Sequence, residues 1–319
     1  MRYDMNAKAD KMKGAIAEPA YYQAVTEAIR AQAVKLLKEE TVVAVIGYQA
    51  GRRKGTATPA LATTPEQAEK LIFSPACVNN LALYLTKAKK DALKKPGKIA
   101  IVAKGCDLRA LAGLMGESQV KRENVFTIGI ACAGVFGSGA DRSEGLSETS
   151  IAKKCRECTV HRPEGADVLV GTLPEVAGLT PAEAEELARI EALPQAERWA
   201  FWKEHFSRCI RCLACRQVCP FCYCEQCMCD RNRPQAVEVS PRPAGNAAWH
   251  IVRAMHLAGR CAGCAECERV CPMDIPLNLL NRRMAKELKD LYEYEAGTTP
   301  QEKGPLVSYR EDDDQSFIK

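Results

Sequence analysis

Two runs of cysteines with identical spacing carry the clearest chemical signal in the sequence. Each follows the pattern C-x2-C-x2-C-x3-C and ends before a proline: Cys209, Cys212, Cys215 and Cys219 form the first run, and Cys261, Cys264, Cys267 and Cys271 the second. Thiolates at this spacing bind iron–sulfur clusters, because three of them wrap one cluster while the proline turns the chain away. Structural zinc, the alternative, has no need of a third and fourth cysteine before a proline.

The two runs are expected to exchange their fourth ligands. In dicluster ferredoxins the last cysteine of each run binds the cluster of the other run. The sequence therefore predicts two 4Fe-4S clusters that lie close together and pass one electron at a time. Thiol set 1 comprises Cys209, Cys212, Cys215 and Cys271. Thiol set 2 comprises Cys261, Cys264, Cys267 and Cys219.

A third group of cysteines lies near predicted strands of the first half of the chain. Thiol set 3 comprises Cys106, Cys132, Cys155 and Cys158. The carboxyl ends of parallel strands meet at one edge of a sheet, where such folds bind ligands, so we expect a third 4Fe-4S cluster there. Two alternatives remain open: zinc on Cys155, Cys158 and His161, or a set of buried free cysteines.

The insertion between the two runs contains four more cysteines in the pattern C-x-C-x2-C-x-C. They are Cys222, Cys224, Cys227 and Cys229. Four thiols within eight residues could hold an extra cluster or a zinc ion, or they could line the domain as small apolar side chains. The sequence leaves this choice open, and it assigns no role to Cys77.

Helical and strand patterns alternate in the first half of the chain. Helices are predicted over residues 19–39 and 78–95, the second with Cys77 at its start, and strands over 41–48, 98–105, 125–130 and 167–171. This alternation predicts an α/β domain with a parallel sheet over residues 1–178. Its glycine-rich loop (Gly134, Gly137 and Gly139) could cradle a phosphate but is interpreted as a plain loop. The lysine-rich residues 87–98 form either a solvated helix face or a docking patch for an acidic partner.

The second half predicts a mostly helical dicluster domain over residues 179–319, with a polar C-terminal tail. Its first helix has Thr180 as the expected N-cap, Pro181 next, and Glu183 to complete a capping box. Two apolar stripes at helical spacing are expected to be core. They comprise Trp199, Trp202 and Phe206, and Leu277, Leu280, Met284, Leu288 and Leu291.

The composition narrows the class of protein. The 319 residues carry a net charge of only +5, which argues against a dedicated nucleic-acid binder. The first residues lack the zones of a secretory signal, and the longest apolar runs are too short and glycine-rich to span a bilayer. An odd number of cysteines, mostly in C-x2-C spacings, favours metal over a disulfide framework. We therefore expect a cytoplasmic protein in a reducing compartment, with a secreted disulfide protein as the alternative.

Several segments together resemble one family. SPACVNNLALYL, IAIVAKGCDLRAL, VFTIGIACAG and CRECTVHRPEGADVLVG look like the beta-subunit family of coenzyme F-420-dependent hydrogenases and dehydrogenases. CIRCLACRQVCPFCYCEQC and AMHLAGRCAGCAECERVCPMDIPL are similar to its dicluster iron–sulfur branch, which accompanies formate dehydrogenases, hydrogenases and heterodisulfide-reductase-type flavoproteins in anaerobes. The resemblance covers roughly residues 40–290.

The resemblance implies an electron-transfer subunit of a multi-subunit anaerobic oxidoreductase. It would relay electrons between a catalytic hydrogenase or formate dehydrogenase subunit and a flavin or ferredoxin partner, without substrate chemistry of its own. The alternative is an enzyme, a flavin-containing beta subunit that reduces a deazaflavin or nicotinamide coenzyme. Deazaflavin-reducing members bind FAD beside a cluster, but AKGCDLRAL departs from their cysteine-glutamine motif, so no residue is assigned to FAD. An iron–sulfur regulator of nucleic acid is a third, disfavoured class.

Overall fold

A five-stranded sheet forms the centre of the first half of the chain. The computed structural model describes residues 16–86, 97–143, 145–172, 182–298, 303–308 and 311. The strands are β1 (Ala44–Ala50), β2 (Ala57–Ala62), β3 (Ile99–Ala103), β4 (Val125–Ile130) and β5 (Val168–Val170), in the order β2-β1-β3-β4-β5. All neighbours are parallel except β1 and β2, which form an antiparallel hairpin. The predicted α/β class is confirmed, whereas the edge strand β2 was not predicted because ATPALA lacks the apolar, β-branched pattern of a buried strand.

Ten α-helices surround the sheet and make up most of the second half of the described chain. They are α1 (Pro19–Lys38), α2 (Pro65–Ala68), α3 (Gly105–Gly116), α4 (Lys153–Arg156), α5 (Glu183–Glu191), α6 (Gln195–Ser207), α7 (Ala214–Gln217), α8 (Pro243–Leu257), α9 (Glu266–Arg269) and α10 (Leu277–Tyr292). Short 3-10 helices lie at Leu81–Leu85, Arg122–Asn124, Met228–Asp230 and Pro305–Val307. Helix α1 buries Val25, Ile29, Ala33 and Leu36 at helical spacing, as predicted.

The helix predicted over residues 78–95 is wrong in its described part. Only the 3-10 helix Leu81–Leu85 forms, and residues 87–96, which hold most of the lysine run, lie outside the described residues. The Leu81 N–H donates to the Asp107 carboxylate at 2.7 Å, so this segment is bonded to α3 at the point where an α-helix would continue. Cys77 therefore begins no helix; it is fully buried in a turn and accepts a hydrogen bond from the Ser74 N–H at 3.4 Å.

Helix α5 is capped differently from the prediction. Thr180 and Pro181 lie outside the described residues. One carboxylate oxygen of Glu157, in the first half of the chain, accepts hydrogen bonds from the N–H groups of residues 182, 183 and 184 at 2.5 to 2.9 Å. Glu183 points instead toward Arg282 and Asn278. The helix is therefore capped by a residue from another segment, whereas the sequence pattern predicts a cap formed by neighbouring residues.

The two apolar stripes are only partly buried. Phe206 is buried and Trp202 packs beside it, but Trp199 is 47% exposed. Leu277 and Leu288 are buried, whereas Leu291, at the end of α10, is 64% exposed.

The main core joins the two halves of the chain. Phe221, Leu257 and Ala262, all from the second half, belong to the same buried cluster as the sheet strands. The predicted domain boundary near residue 178 falls among residues 173–181, outside the described residues. No helix in the described ranges combines the length and the apolar character needed to cross a bilayer.

Candidate metal centres

The two cysteine runs share one backbone conformation. Each run has two residues with positive φ between its first and third cysteines. They are Arg211 (56°) and Leu213 (60°) in the first run, and Gly263 (65°) and Ala265 (52°) at the matching positions of the second. A one-turn helix follows, α7 or α9, and carries the third cysteine. Non-glycine residues adopt positive φ rarely, so its recurrence at matching positions marks the runs as structural repeats and not only sequence repeats.

Thiol set 1 lines one small cavity. Cys209, Cys212 and Cys215 of the first run meet Cys271 of the second run there. The cavity is also lined by His250, whose ring stacks on Phe206 with centroids 4.8 Å apart. Burial lowers the pKa of His250 to about 4, so the ring is neutral at physiological pH. Both ring nitrogens are buried and have no hydrogen-bond partner in the described chain.

Thiol set 2 is assembled around Cys219. Burial raises the pKa of each second-run thiol in the set, and the nearby charge of Cys219 raises each one further. These thiols belong to Cys261, Cys264 and Cys267. The structure thus brings the fourth cysteine of each run to the other run, the arrangement that crossed ligands require.

Thiol set 3 lines a cavity of about 490 Å³ at the carboxyl ends of β3 and β4. Cys106 lies in the first turn of α3 directly after β3, and Cys132 follows β4. Cys155 lies on α4 and Cys158 just after it. Burial raises the pKa of Cys106 to about 12, and the Asp107 carboxylate adds to this increase. Four cysteines from three separate segments therefore share one site.

Hydrogen bonds hold the Cys132 backbone in place. Its N–H donates to the His161 carbonyl at 2.7 Å, and its own carbonyl lies 2.7 Å from His161 Nδ1. His161 thus bonds the segment of Cys132 to that of Cys158.

Two glycines allow the segments of thiol set 3 to approach closely. A Cβ on Gly105 would lie 1.9 Å from the Val160 carbonyl oxygen, so only glycine lets α3 pack on the loop after Cys158. Gly134 has a φ of +118°, and its N–H donates to Cys132 Sγ at 3.4 Å. The glycine-rich loop therefore directs this N–H group at a thiol.

The second half of the chain forms the opposite wall of the large cavity. Its lining residues there include Cys261 of thiol set 2 and Arg282, Lys286 and Lys289 of α10. Arg282 bonds to both Glu157 and Glu183 at 2.5 Å. Thiol sets 2 and 3 therefore border a common cavity between the two halves, with a volume in the range of cofactor sites.

The insertion cysteines line another cavity, of about 290 Å³, but they associate in pairs. The Cys222 thiol lies beside Cys219 of thiol set 2, which lowers the pKa of the Cys222 thiol. The Cys222 N–H donates to the Cys219 carbonyl at 3.2 Å. Burial raises the pKa of Cys229 to about 11, and its neighbour Cys227 adds to the increase. Cys224 is exposed. The cavity also has a basic lining of Arg216, Arg253, His256 and Arg260.

Among the described residues, no three His, Cys, Asp or Glu side chains are placed to hold a single metal ion. This finding concerns single ions such as zinc. In a 4Fe-4S cluster each thiolate binds a different iron, so the thiols stand farther apart.

Three basic residues beside the thiols, two of them buried and one partly buried, were not predicted from the sequence. Lys104 is fully buried and ion-paired with Asp107 at 2.9 Å, and Arg253 is only 5% exposed. Lys154 donates to the Cys264 carbonyl at 2.5 Å. They are three of 45 lysines and arginines, and only their position in the fold distinguishes them.

Comparisons with known proteins identify relatives of the chain. It is 23% identical over 348 aligned positions to F420-dependent formate dehydrogenase subunit beta of Methanocaldococcus jannaschii, covering 82% of this chain and 89% of the relative. It is 22% identical to F420-dependent formate dehydrogenase 1 subunit beta of Methanococcus maripaludis, covering 63% and 73%. These relatives confirm the family resemblance of the sequence motifs. No protein-family model matches the chain.

A solved structure also shows local similarity. A chain of the F420-reducing nickel–iron hydrogenase complex of Methanosarcina barkeri, from a xenon derivatization study, matches with 17% identity and a TM-score of 0.30. The match covers 36% of this chain and 42% of that one, so this chain spans less than half of its length.

Proposed function

Since the chain is related to beta subunits of F420-dependent formate dehydrogenases, we propose that it is the iron–sulfur electron-transfer subunit of an anaerobic oxidoreductase complex. It relays electrons between a catalytic hydrogenase or formate dehydrogenase subunit and a flavin or ferredoxin partner in the cytoplasm. Thiol sets 1, 2 and 3 each hold one 4Fe-4S cluster, a group that accepts and donates single electrons.

The observation that carries the proposal is the convergence of thiol set 3. Four cysteines from separate segments line a cavity that Cys261 of thiol set 2 also lines. Buried free cysteines serving only as apolar filling have no reason to converge on one cavity. Burial raises the pKa values of the Cys106, Cys132 and Cys158 thiols in the free protein, and metal binding would stabilise their thiolate forms.

The residues around the thiols fit a group that accepts hydrogen bonds and carries negative charge. Buried polar groups normally have partners, yet His250 and Arg253 keep buried ring and guanidinium nitrogens without one in the described chain. The N–H groups of Arg211 and Gly134 already donate to cysteine sulfurs at 3.4 Å. Such donors stabilise thiolate ligands, and apolar neighbours such as Trp249 and Ile275 line the cavity of thiol set 1.

An extra metal site in the insertion remains a separate proposal. The four thiols line one basic cavity, which would offset the charge of thiolate ligands. The proximity of the Cys222 thiol to Cys219 argues instead for a supporting role of the insertion beside thiol set 2.

A second candidate function is favoured by the size of the large cavity. Its lining includes Arg109, Lys286 and Lys289, which are ion-paired with Glu191 or Glu295 of the same cavity. Its volume of about 490 Å³ suits a cofactor such as FAD. In that case the chain would be a flavin-containing subunit that reduces a deazaflavin or nicotinamide coenzyme. The relatives are named for F420-dependent enzymes, which supports the same alternative.

Purification under anaerobic conditions, followed by iron, zinc and flavin analysis, separates the two functions. The electron-transfer proposal expects about twelve irons per chain, from three four-iron clusters, and no stoichiometric flavin. Stoichiometric FAD, with reduction of a deazaflavin by the isolated chain, would establish the second function instead.

A further inference from the structure

Two basic side chains, one partly buried and one buried, lie between neighbouring thiol sets. Lys154 extends from α4 of the first half, and Arg253 extends from α8 of the second half. Neither forms an ion pair with a carboxylate in the described part of the chain, whereas Lys104 and Arg282 do. Burying a cation without a counter-charge is costly, so the position of each one calls for a negative group nearby.

Lys154 connects thiol sets 3 and 2. It precedes Cys155 in the chain and lines the large cavity with the rest of thiol set 3. Its ammonium group donates to the backbone carbonyl of Cys264, a member of thiol set 2, at 2.5 Å. The Cys106, Cys155 and Cys264 thiols and the Glu266 carboxylate lie within electrostatic reach of this ammonium group.

Arg253 connects thiol sets 2 and 1. Its guanidinium donates to the backbone carbonyl of Cys215, a member of thiol set 1, at 3.2 Å, and its Nε is buried without a partner in the described chain. Cysteine side chains of two thiol sets and of the insertion also lie within electrostatic reach of the guanidinium. These are Cys267 and Cys219 of thiol set 2, Cys222 of the insertion and Cys215 of thiol set 1.

We propose that Lys154 and Arg253 are bridging cations, each of which raises the reduction potentials of the two clusters on either side of it. This inference rests on the proposed function, since it requires clusters in the three thiol sets. Reduction adds one negative charge to a cluster, and a fixed positive charge in a poorly screened interior stabilises that added charge. One cation placed between two sites favours electron occupancy of both.

The test is a redox titration of the full anaerobic chain, followed by electron paramagnetic resonance. The variants are Lys154→Met and Arg253→Met, which keep an unbranched apolar stem and remove the charge. At a fixed potential, we expect the reduced-to-oxidised ratio of the two flanking clusters to fall about tenfold, equivalent to about 59 mV for one electron. The cluster that does not flank the substituted residue should keep its potential: that of thiol set 1 in Lys154→Met and that of thiol set 3 in Arg253→Met. Cysteine-to-alanine variants of each set assign the signals.

Matched controls are available beside each cation. Lys153→Met removes an exposed lysine, with 58% of its side chain accessible, next to Lys154, and Arg242→Met removes an exposed arginine at the start of α8. Both should leave all potentials unchanged. Arg253→Lys keeps the charge, so it should retain near-native potentials even if Arg253→Met loads iron poorly.

Two results would overturn the inference. Lys154→Met and Arg253→Met could load iron with unshifted potentials, or Arg253→Lys could shift the potentials as far as loss of the charge does. A native protein without iron would instead overturn the proposed function, and this inference with it.

Discussion

Thiol sets 1 and 2 are built from short cysteine runs, whereas thiol set 3 is assembled from segments that only the sheet brings together. In the runs, repeated positive-φ residues and one-turn helices place three thiols within seven residues of chain, as in Cys209 to Cys215. In thiol set 3, Cys106 and Cys132 depend on β3 and β4, whereas Cys155 and Cys158 depend on α4 and the residues just after it. A local motif shapes the first kind of site, and tertiary structure shapes the second.

The two kinds of site meet along one path through the molecule. Cys261 of a cysteine run borders the cavity of thiol set 3, and Lys154 reaches from that cavity to the carbonyl of Cys264. Both halves of the chain must therefore be docked for the three sites to lie next to one another. This gives the docking contacts a consequence for function as well as for stability.

The largest loss of iron is expected from replacing Cys271 or Cys219, the cysteines that each run contributes to the other run's thiol set. Cys271→Ala should remove the same cluster signal as Cys209→Ala, with the loss of up to about four irons, because both residues belong to thiol set 1. Cys219→Ala should remove the signal that Cys261→Ala removes. Iron analysis and electron paramagnetic resonance of the four variants check this. A Cys271→Ala spectrum that matches Cys261→Ala would show that the ligands are not crossed.

Loss of a single cluster is expected when a cysteine of thiol set 3 is replaced. Cys106→Ala should remove one cluster signal and up to about four irons while the ferredoxin-type signals remain. The matched control is Cys77→Ala, which changes a fully buried cysteine of the same half that does not line the cavity. Equal iron content in Cys106→Ala and the native protein would remove the third cluster from the account.

An intermediate effect is expected where the two halves dock. Arg282→Met leaves the Glu183 and Glu157 carboxylates, with side chains 2% and 9% exposed, without their shared cation. The free energy of unfolding should fall by about 2–3 kcal/mol, somewhat below the usual cost of breaking a fully buried pair because Arg282 is itself partly exposed. Denaturant unfolding of the iron-loaded chain measures it.

The control for this stability effect is Lys286→Met on the same helix. Its ion pair with Glu191 is largely exposed, so the loss should stay below about 1 kcal/mol. Equal losses for the two variants would mean that the Arg282 network does not hold the halves together.

Features that depend on local sequence could be predicted, whereas features that depend on tertiary contacts could not. Cysteine spacing predicts thiol sets 1 and 2, and apolar strands such as VFTIGI at residues 125–130 predict the sheet, which the structure confirms. The cap of α5 was not predictable, because Glu157 supplies it from another segment. Lys154 and Arg253 carry no local signal, since a lysine or arginine near a cysteine is usually exposed.

The smallest effect is expected in the insertion. Cys224→Ala should leave iron and zinc content unchanged, because Cys224 is exposed and lies outside the Cys219–Cys222 and Cys227–Cys229 pairs. Elemental analysis by mass spectrometry measures both metals in one sample. Loss of one zinc, or of about four irons, would establish an extra metal site there.

The most direct test of the account is the iron and flavin content of the anaerobically purified full-length chain. Three occupied thiol sets predict about twelve irons per chain without stoichiometric flavin. About eight irons, or one FAD per chain, would contradict the claim that the cavity between the two halves is a third iron–sulfur site in an electron-transfer subunit.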